Sequence, residues 1–185
     1  MYRDGHYGLT LSLYAPVGFV LVWIGATRFA LLSYMGVVVL SSFPDIDLKT
    51  SYLKHRGVSH SIVAAAAVGV VYAAVAVGLN RPGILTVAPL SGLLEAVAVA
   101  GFGFVIGVFG IGSHILGDLL TPMGVSPLLP FSSKTYSLNV TTAASERANY
   151  ILFNLGVLGF FAAFVGPKIL RSGLLSRLLS YLPFF

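Results

Sequence analysis

The sequence predicts an all-α, polytopic membrane helix bundle of about five transmembrane helices. It forms a single integral membrane domain, residues 1–185, with a cluster of polar residues at one membrane rim. Three observations predict this. Hydrophobic residues make up 57% of the chain and charged residues 9%, whereas a soluble domain carries roughly 25% charged residues, so this chain could not cover a water-facing surface. Long apolar stretches recur along it. The remaining polar residues gather in two islands, Pro44–Ser61 and His114–Pro122, which hold three of the four histidines and three of the six carboxylates.

The spans follow in order. Leu9–Ile24 and Phe29–Ser42 flank a short Gly25-Ala26-Thr27-Arg28 turn and are near the short end for a hydrocarbon core of about 30 Å, which takes roughly 20 helical residues. Ile62–Leu79 is closed by Asn80-Arg81-Pro82-Gly83. Ala96–Leu116 is rich in glycine, and small residues permit close helix approach. Tyr150–Val165 is the fifth span. From Lys168 onward, bases alternate with leucines as far as residue 183, a pattern expected of an amphipathic helix lying in the interface. No basic leader followed by a small-residue cleavage site precedes the first span, so no removable signal peptide is expected.

With five crossings, the N-terminus, the Asp45–His60 segment and the Asp118–Glu146 segment fall on one side. Every histidine and every carboxylate except Glu95 then converges on one face. The bases divide as Arg3, Lys49, Lys54, Arg56, Lys134 and Arg147 on that face against Arg28, Arg81, Lys168, Arg171 and Arg177 opposite, a balance that assigns no orientation. The net charge of +5 is spread over loops without a dense basic run, so headgroup contact is expected and nucleic-acid binding is not. With no cysteine in the chain, disulfides, thiolate ligands and a cysteine nucleophile are excluded.

Imidazoles and carboxylates are the ligands a divalent cation needs, and in a membrane such residues mark function. His114 and Asp118, four apart, share one helix face and can reach one cation, with Thr121 a turn further on as a donor to the carboxylate. Pro122 ends that helix and so sets the pair at the rim. A histidine hydrogen-bonded to Asp in a bundle core is the competing reading. Pro44 ends the second span; Asp45 and Asp47 share a side if the segment is extended, where the competing reading is a solvated helix-end turn. In His55-Arg56-Gly57-Val58-Ser59-His60-Ser61, Gly57 suggests a loop, and an Arg beside two imidazoles suits a phosphoryl or carboxyl oxygen. Ser59 and Ser61 also read as helix N-caps. His6, ahead of the first span, is a further candidate ligand or a plain interfacial histidine. Glu146 opens the fifth span, where the helix dipole favours a carboxylate in any case.

Pro44-Asp45-Ile46-Asp47, His55–Ser61 and His114–Val125, preceded by His6, resemble the motifs of the YdjM-type family. These are small prokaryotic inner-membrane-associated proteins described as metal-dependent hydrolases and sometimes labelled LexA-binding. More distantly, the order Asp, His, His-x-x-x-Asp is similar to the zinc-dependent phospholipase C and P1 nuclease group, although the additional histidines of such a cluster are missing between His114 and Glu146. That favours one or two metals over three.

The expectation is a membrane-embedded hydrolase of the prokaryotic cytoplasmic (inner) membrane. Its divalent metal, zinc first and manganese second, is drawn from His6, Asp47, His55, His60, His114 and Asp118. Arg56 would stabilise developing negative charge, Asp45 or Asp47 would serve as base, and Glu146 would complete the set. A rim site favours a lipid-like or lipid-linked substrate, such as a phosphoester, taken from the membrane lipid. The rival expectation is a non-enzymatic carrier or scaffold with a structural His/Asp cluster. A carrier would place such groups near mid-membrane and show repeat symmetry; here they cluster at span ends with no repeat.

Overall fold

The computed structural model describes residues 1–49, 55–80 and 92–173. Lys54, the Arg81-Pro82-Gly83 helix-end signal, Arg177 and the part of the expected interfacial tail beyond Gly173 lie outside them. Five helices span the chain: α1 (Arg3–Trp23), α2 (Thr27–Ser41), α3 (Ile62–Leu79), α4 (Gly92–Leu119) and α5 (Glu146–Arg171). All five are long and apolar enough to cross a membrane, α2 being counted through the short 3₁₀ turn Pro44–Lys49 that follows it, as far as Leu48. The all-α bundle with five spans is therefore as the sequence predicts.

The helix ends differ from expectation in ways that matter. α1 starts at Arg3, six residues before the apolar stretch, so His6 lies within its first two turns instead of ahead of it. α5 starts at Glu146 with Ser145 as its cap, the hydroxyl accepting from the Ala148 amide, and continues through Pro167 to Arg171. Lys168 to Arg171, read as the start of an interfacial tail, thus belong to the fifth helix. At 1.5 Å per residue, the 28 residues of α4 run about 42 Å, long enough to carry His114 and Asp118 to the rim.

The helices pack as two close pairs, α1 with α5 and α3 with α4, and α2 contacts α1 and α4. Lipid chains are as apolar as leucine, so helix association in a bilayer depends on close packing and polar cross-links. Gly8 and Gly156 supply the first. A Cβ on Gly156 would run into the Gly8 backbone, and one on Gly8 into the Leu152 backbone. Thr10 and Ser113 supply the second, their hydroxyls 2.7 Å apart and buried between α1 and α4. Around them Tyr14, Tyr34, Val37, Ile106 and Ala163 form the main core, with Tyr34 edge-on to both Tyr14 and Phe160. At the rim opposite the polar cluster, Arg171 lies over the Trp23 ring at 5.0 Å, and Arg3 lies over Tyr7 at 5.9 Å near the cluster. Such aromatic–basic pairs suit membrane interfaces.

Gly156→Leu should lower stability in detergent micelles by about 1–3 kcal/mol through overpacking, read as a fall in thermal midpoint. Gly112→Ala, where an added methyl meets nothing within 4 Å, should leave the midpoint unchanged or raised.

Candidate metal centre

Four elements meet at the rim where α2 and α4 end: the first turns of α1, the Pro44–Lys49 turn, the Val58–His60 3₁₀ turn and the last turns of α4. They bring His6, Asp47, His60, His114 and Asp118 together, each no more than 2% exposed. Asp45 joins them with its side chain 30% exposed. Glu95, as expected, lies apart, bonded to Asn80 at the other end of α3 and α4.

His114 comes from α4, and its Nδ1 lies 2.6 Å from the Ser41 carbonyl. A carbonyl only accepts, so Nδ1 carries the proton and Nε2 presents a lone pair. His60 follows the same logic by another route. Ser59 donates its hydroxyl to Asp47 Oδ2 at 2.8 Å, leaving its oxygen to accept from His60 Nδ1 at 3.0 Å. Asp47 Oδ2 is itself 3.3 Å from that Nδ1. The Nε2 atoms of His60 and His114 then face each other at 3.1 Å, and with each Nδ1 protonated in a neutral ring both present lone pairs.

Two carboxylate oxygens complete the cluster. Asp118 Oδ2 is 3.4 Å from His60 Nε2 and 3.5 Å from His114 Nε2. Asp45 Oδ1 is 3.6 and 3.5 Å from the same two atoms. A tetrahedral cation with ligands at about 2.0–2.2 Å holds its ligand atoms roughly 3.3–3.6 Å apart. Five of the six edges of such a tetrahedron are therefore present, all between 3.1 and 3.6 Å. A proton shared by the two imidazoles would satisfy them but leave Asp118 Oδ2, which is buried without a hydrogen-bond partner. A cation answers all four atoms. The donor set fits a divalent metal.

Two groups of side chains, with no member in common, also have metal-ligand spacing: His6–His114–Asp118 and Asp45–His55–His60. In each, one member is held otherwise. The His6 ring stacks flat on His114, with centroids 3.8 Å apart and planes 8° apart, so its in-plane lone pairs run alongside His114 and not toward it. Its Nε2 is 3.6 Å from Asp118 Oδ1. That oxygen is already taken by Arg56 at 2.8 Å and the Met1 amine at 3.3 Å. Gly117 makes room for the stack, since a Cβ there would lie 2.6 Å from His6 Nδ1. His55, 39% exposed, has its Nδ1 on Asp47 Oδ1 at 2.9 Å.

Asp45 and Asp47 do not share a side. The segment is a 3₁₀ turn, not extended, and residues two apart on it point about 120° apart. They grip opposite nitrogens of one imidazole, Asp45 facing His60 Nε2 and Asp47 facing Nδ1. Asp47 is thus a support for His60, and such outer carboxylates fix tautomer and ring orientation.

Arg56 is committed inward. Its guanidinium donates to Asp118 Oδ1 at 2.8 Å, the Gly124 carbonyl at 2.7 Å and Thr121 Oγ1 at 3.2 Å. Its amide donates to Asp47 Oδ2. It does so from a left-handed backbone, φ 57°, which costs a non-glycine residue on the order of 1–2 kcal/mol. Gly57, the residue that marks the loop in the sequence, has an ordinary negative φ. Thr121 donates to the Asp118 main-chain carbonyl, not to its carboxylate. Ser61 caps α3 by accepting from Ala64, whereas Ser59 serves Asp47. Glu146 is exposed on the first turn of α5 and does not reach the cluster. Asn149, one turn further, is buried and accepts from the Tyr2 amide. It ties α5 to the start of α1.

The fold and site define a small polytopic helical membrane protein with a buried His/Asp cluster at one rim, able to hold a metal ion. A family model described as YdjM inner membrane protein matches residues 12–182. The chain belongs to that family and is an integral inner-membrane protein. No curated protein and no solved structure matches it, so the likeness to zinc phospholipase C and P1 nuclease has no counterpart there.

Asp47→Asn should weaken metal affinity by about 10–100-fold without changing stoichiometry, measured by competition against a chromophoric chelator. Arg56→Gln, which leaves the buried Asp118 Oδ1 without its guanidinium, should cost on the order of 3–5 kcal/mol, read in thermal unfolding against Lys134→Gln as a surface control.

Proposed function

We propose that the protein is a membrane-embedded, metal-dependent hydrolase that takes a lipid-like or lipid-linked substrate, a phosphoester by preference, at the membrane rim. The observation that carries this reading is the tetrahedral spacing of His60 Nε2, His114 Nε2, Asp118 Oδ2 and Asp45 Oδ1, with Asp45 the one partly open member. Two imidazoles and two carboxylates at this spacing suit zinc, while manganese suits a site richer in oxygen. When bound, the ion supplies Lewis acidity and lowers the pKa of a water molecule toward ~7.

The chain's own residues divide the remaining work. His60, His114 and Asp118 are the buried ligands, and catalytic zinc sites use three protein ligands with a fourth position left for water or substrate. Asp45 stands at that fourth corner, the one carboxylate of the cluster that solvent reaches, and accepts the proton of the attacking water. Asp47 is fully buried behind His60 and keeps it in the Nδ1–H form. Arg56 acts through Asp118, whose Oδ1 it neutralises so that Oδ2 stays free for the cation. Its guanidinium is otherwise spent on Thr121 and the Gly124 carbonyl, so it positions Asp118 and the turn beyond α4.

The substrate class rests on what surrounds the opening. The exposed apolar residues near Asp45 and His60 in the sequence are Phe43, Ile46, Leu48 and Val58, beside the exposed His55 ring 5.5 Å from His60, an approach with an apolar side at the level where headgroup bonds of lipids lie. One observation favours the rival reading of a metal-stabilised structural protein: Asp45 Oδ1 already closes the tetrahedron, and closed four-ligand sites are structural.

Elemental mass spectrometry on the purified wild type should find about one zinc per chain, lost in His114→Ala and Asp118→Ala together with hydrolysis of a panel of phosphoester lipids. Chelation should lower the thermal midpoint, because the ion binds only the folded state. Asp45→Asn separates the readings. Retained metal with abolished turnover supports the hydrolase; lost metal with no turnover in any variant leaves the structural site.

A further inference from the structure

The segment joining α4 to α5 is an ordered hairpin. Val125 and Tyr136 exchange both main-chain hydrogen bonds, at 3.0 and 2.8 Å. The returning arm is pinned to the end of α4, the Leu138 amide donating to the Leu119 carbonyl and the Val140 amide to Leu120. The Pro127 carbonyl accepts from Ile62, the first residue of α3. Both ends of the hairpin are thus fixed to helix ends at the rim that carries the metal centre.

Such a hairpin facing water should present polar residues. This one exposes Ser133, Thr135, Ser137 and Asn139 along its returning arm, but large apolar side chains at its tip and flanks. Its tip reads Leu128-Leu129-Pro130-Phe131, and Phe131 is 87% exposed. Met123, Leu138 and Val140 are also largely exposed. From residue 119 to 145 the chain has no Asp, Glu, Arg or His, and its single base, Lys134, lies over the Tyr136 ring at 5.2 Å. Contiguous exposed apolar surface marks an interaction site. Here the hairpin that carries those side chains is pinned to the ends of two membrane-spanning helices, and its one charge has the sign that complements phosphate headgroups.

The geometry points to a hairpin that lies in the headgroup–acyl boundary of the protein's own membrane, with the Phe131 tip inserted among the acyl chains and Lys134 at the phosphates. Insertion removes the exposed apolar residues from water while the long lysine stem reaches back to the headgroups. The hairpin then acts as an interfacial anchor that holds the rim site at headgroup level. This does not depend on the metal or on hydrolysis.

The absence of native cysteine allows a direct test. A nitroxide on Phe131→Cys, reconstituted in phosphatidylethanolamine–phosphatidylglycerol vesicles, is read for collisions with oxygen and with a water-soluble nickel chelate. The references are a label on Val71→Cys, exposed on the middle of α3, and a free soluble nitroxide. An oxygen-to-nickel ratio several-fold above the free nitroxide and approaching that of Val71 supports insertion. A ratio equal to the free nitroxide overturns it, as does spin–spin broadening at position 131, which would show a second copy covering the tip.

Discussion

A carboxylate buried at the end of an apolar bundle needs both oxygens answered, and Asp118, with one oxygen answered by side chains and the other left for a cation, is the group on which this arrangement turns. Its Oδ1 gathers the Arg56 guanidinium and the Met1 amine, with His6 Nε2 close by. Its Oδ2 faces the two Nε2 atoms of His60 and His114. Through these contacts one side chain of α4 ties down the start of α1 and the entry to α3, and Arg56 and His60 pass the link on to Asp47 in the turn after α2. Packing alone would not set that register, because the helices present near-uniform apolar surfaces to lipid. The polar cluster specifies the geometry of the rim, and the glycine contact of α1 with α5 and the Thr10–Ser113 bond hold the helices below it.

How much of this was legible follows from how strictly local geometry is set by residue spacing. His114 and Asp118 were legible because an α-helix fixes residues four apart on one face whatever surrounds them. The convergence of all four histidines was legible because the number of crossings decides the side of each segment. Asp45 and Asp47 were not, because a 3₁₀ turn and a strand send residues two apart in different directions and nothing local chooses between them. The backbone of Arg56 was not legible for a related reason. Gly57 suggests a loop and no more, whereas tertiary contacts to Asp47 and Asp118 accompany a left-handed conformation at the arginine itself. Glu146 and Asn149 differ by one helical turn, and only the packing of α5 on α1 says which faces inward.

The same contacts bear on whether the centre is open or closed. Three of the four candidate ligands are fixed by a second bond on the far side of the residue: His114 by the Ser41 carbonyl, His60 by Ser59 and Asp47, Asp118 by Arg56. Among the described residues Asp45 has no such brace, and it is the most exposed of the four. A ligand meant to stay is worth orienting in advance, since unbraced side chains lose rotamer freedom on binding. The asymmetry between three braced ligands and one unbraced carboxylate is what a site with an exchangeable fourth position requires. A closed structural site would gain from bracing all four.

Location completes the argument. The carboxylate of Asp45 lies on the turn that leaves the membrane, whose exposed residues include Phe43, Ile46 and Leu48. Water reaches such a position from the headgroup layer, and an amphiphile reaches it from the bilayer without leaving the membrane. On the proposed reading, the rim position of the site is what would favour molecules that already reside at the interface.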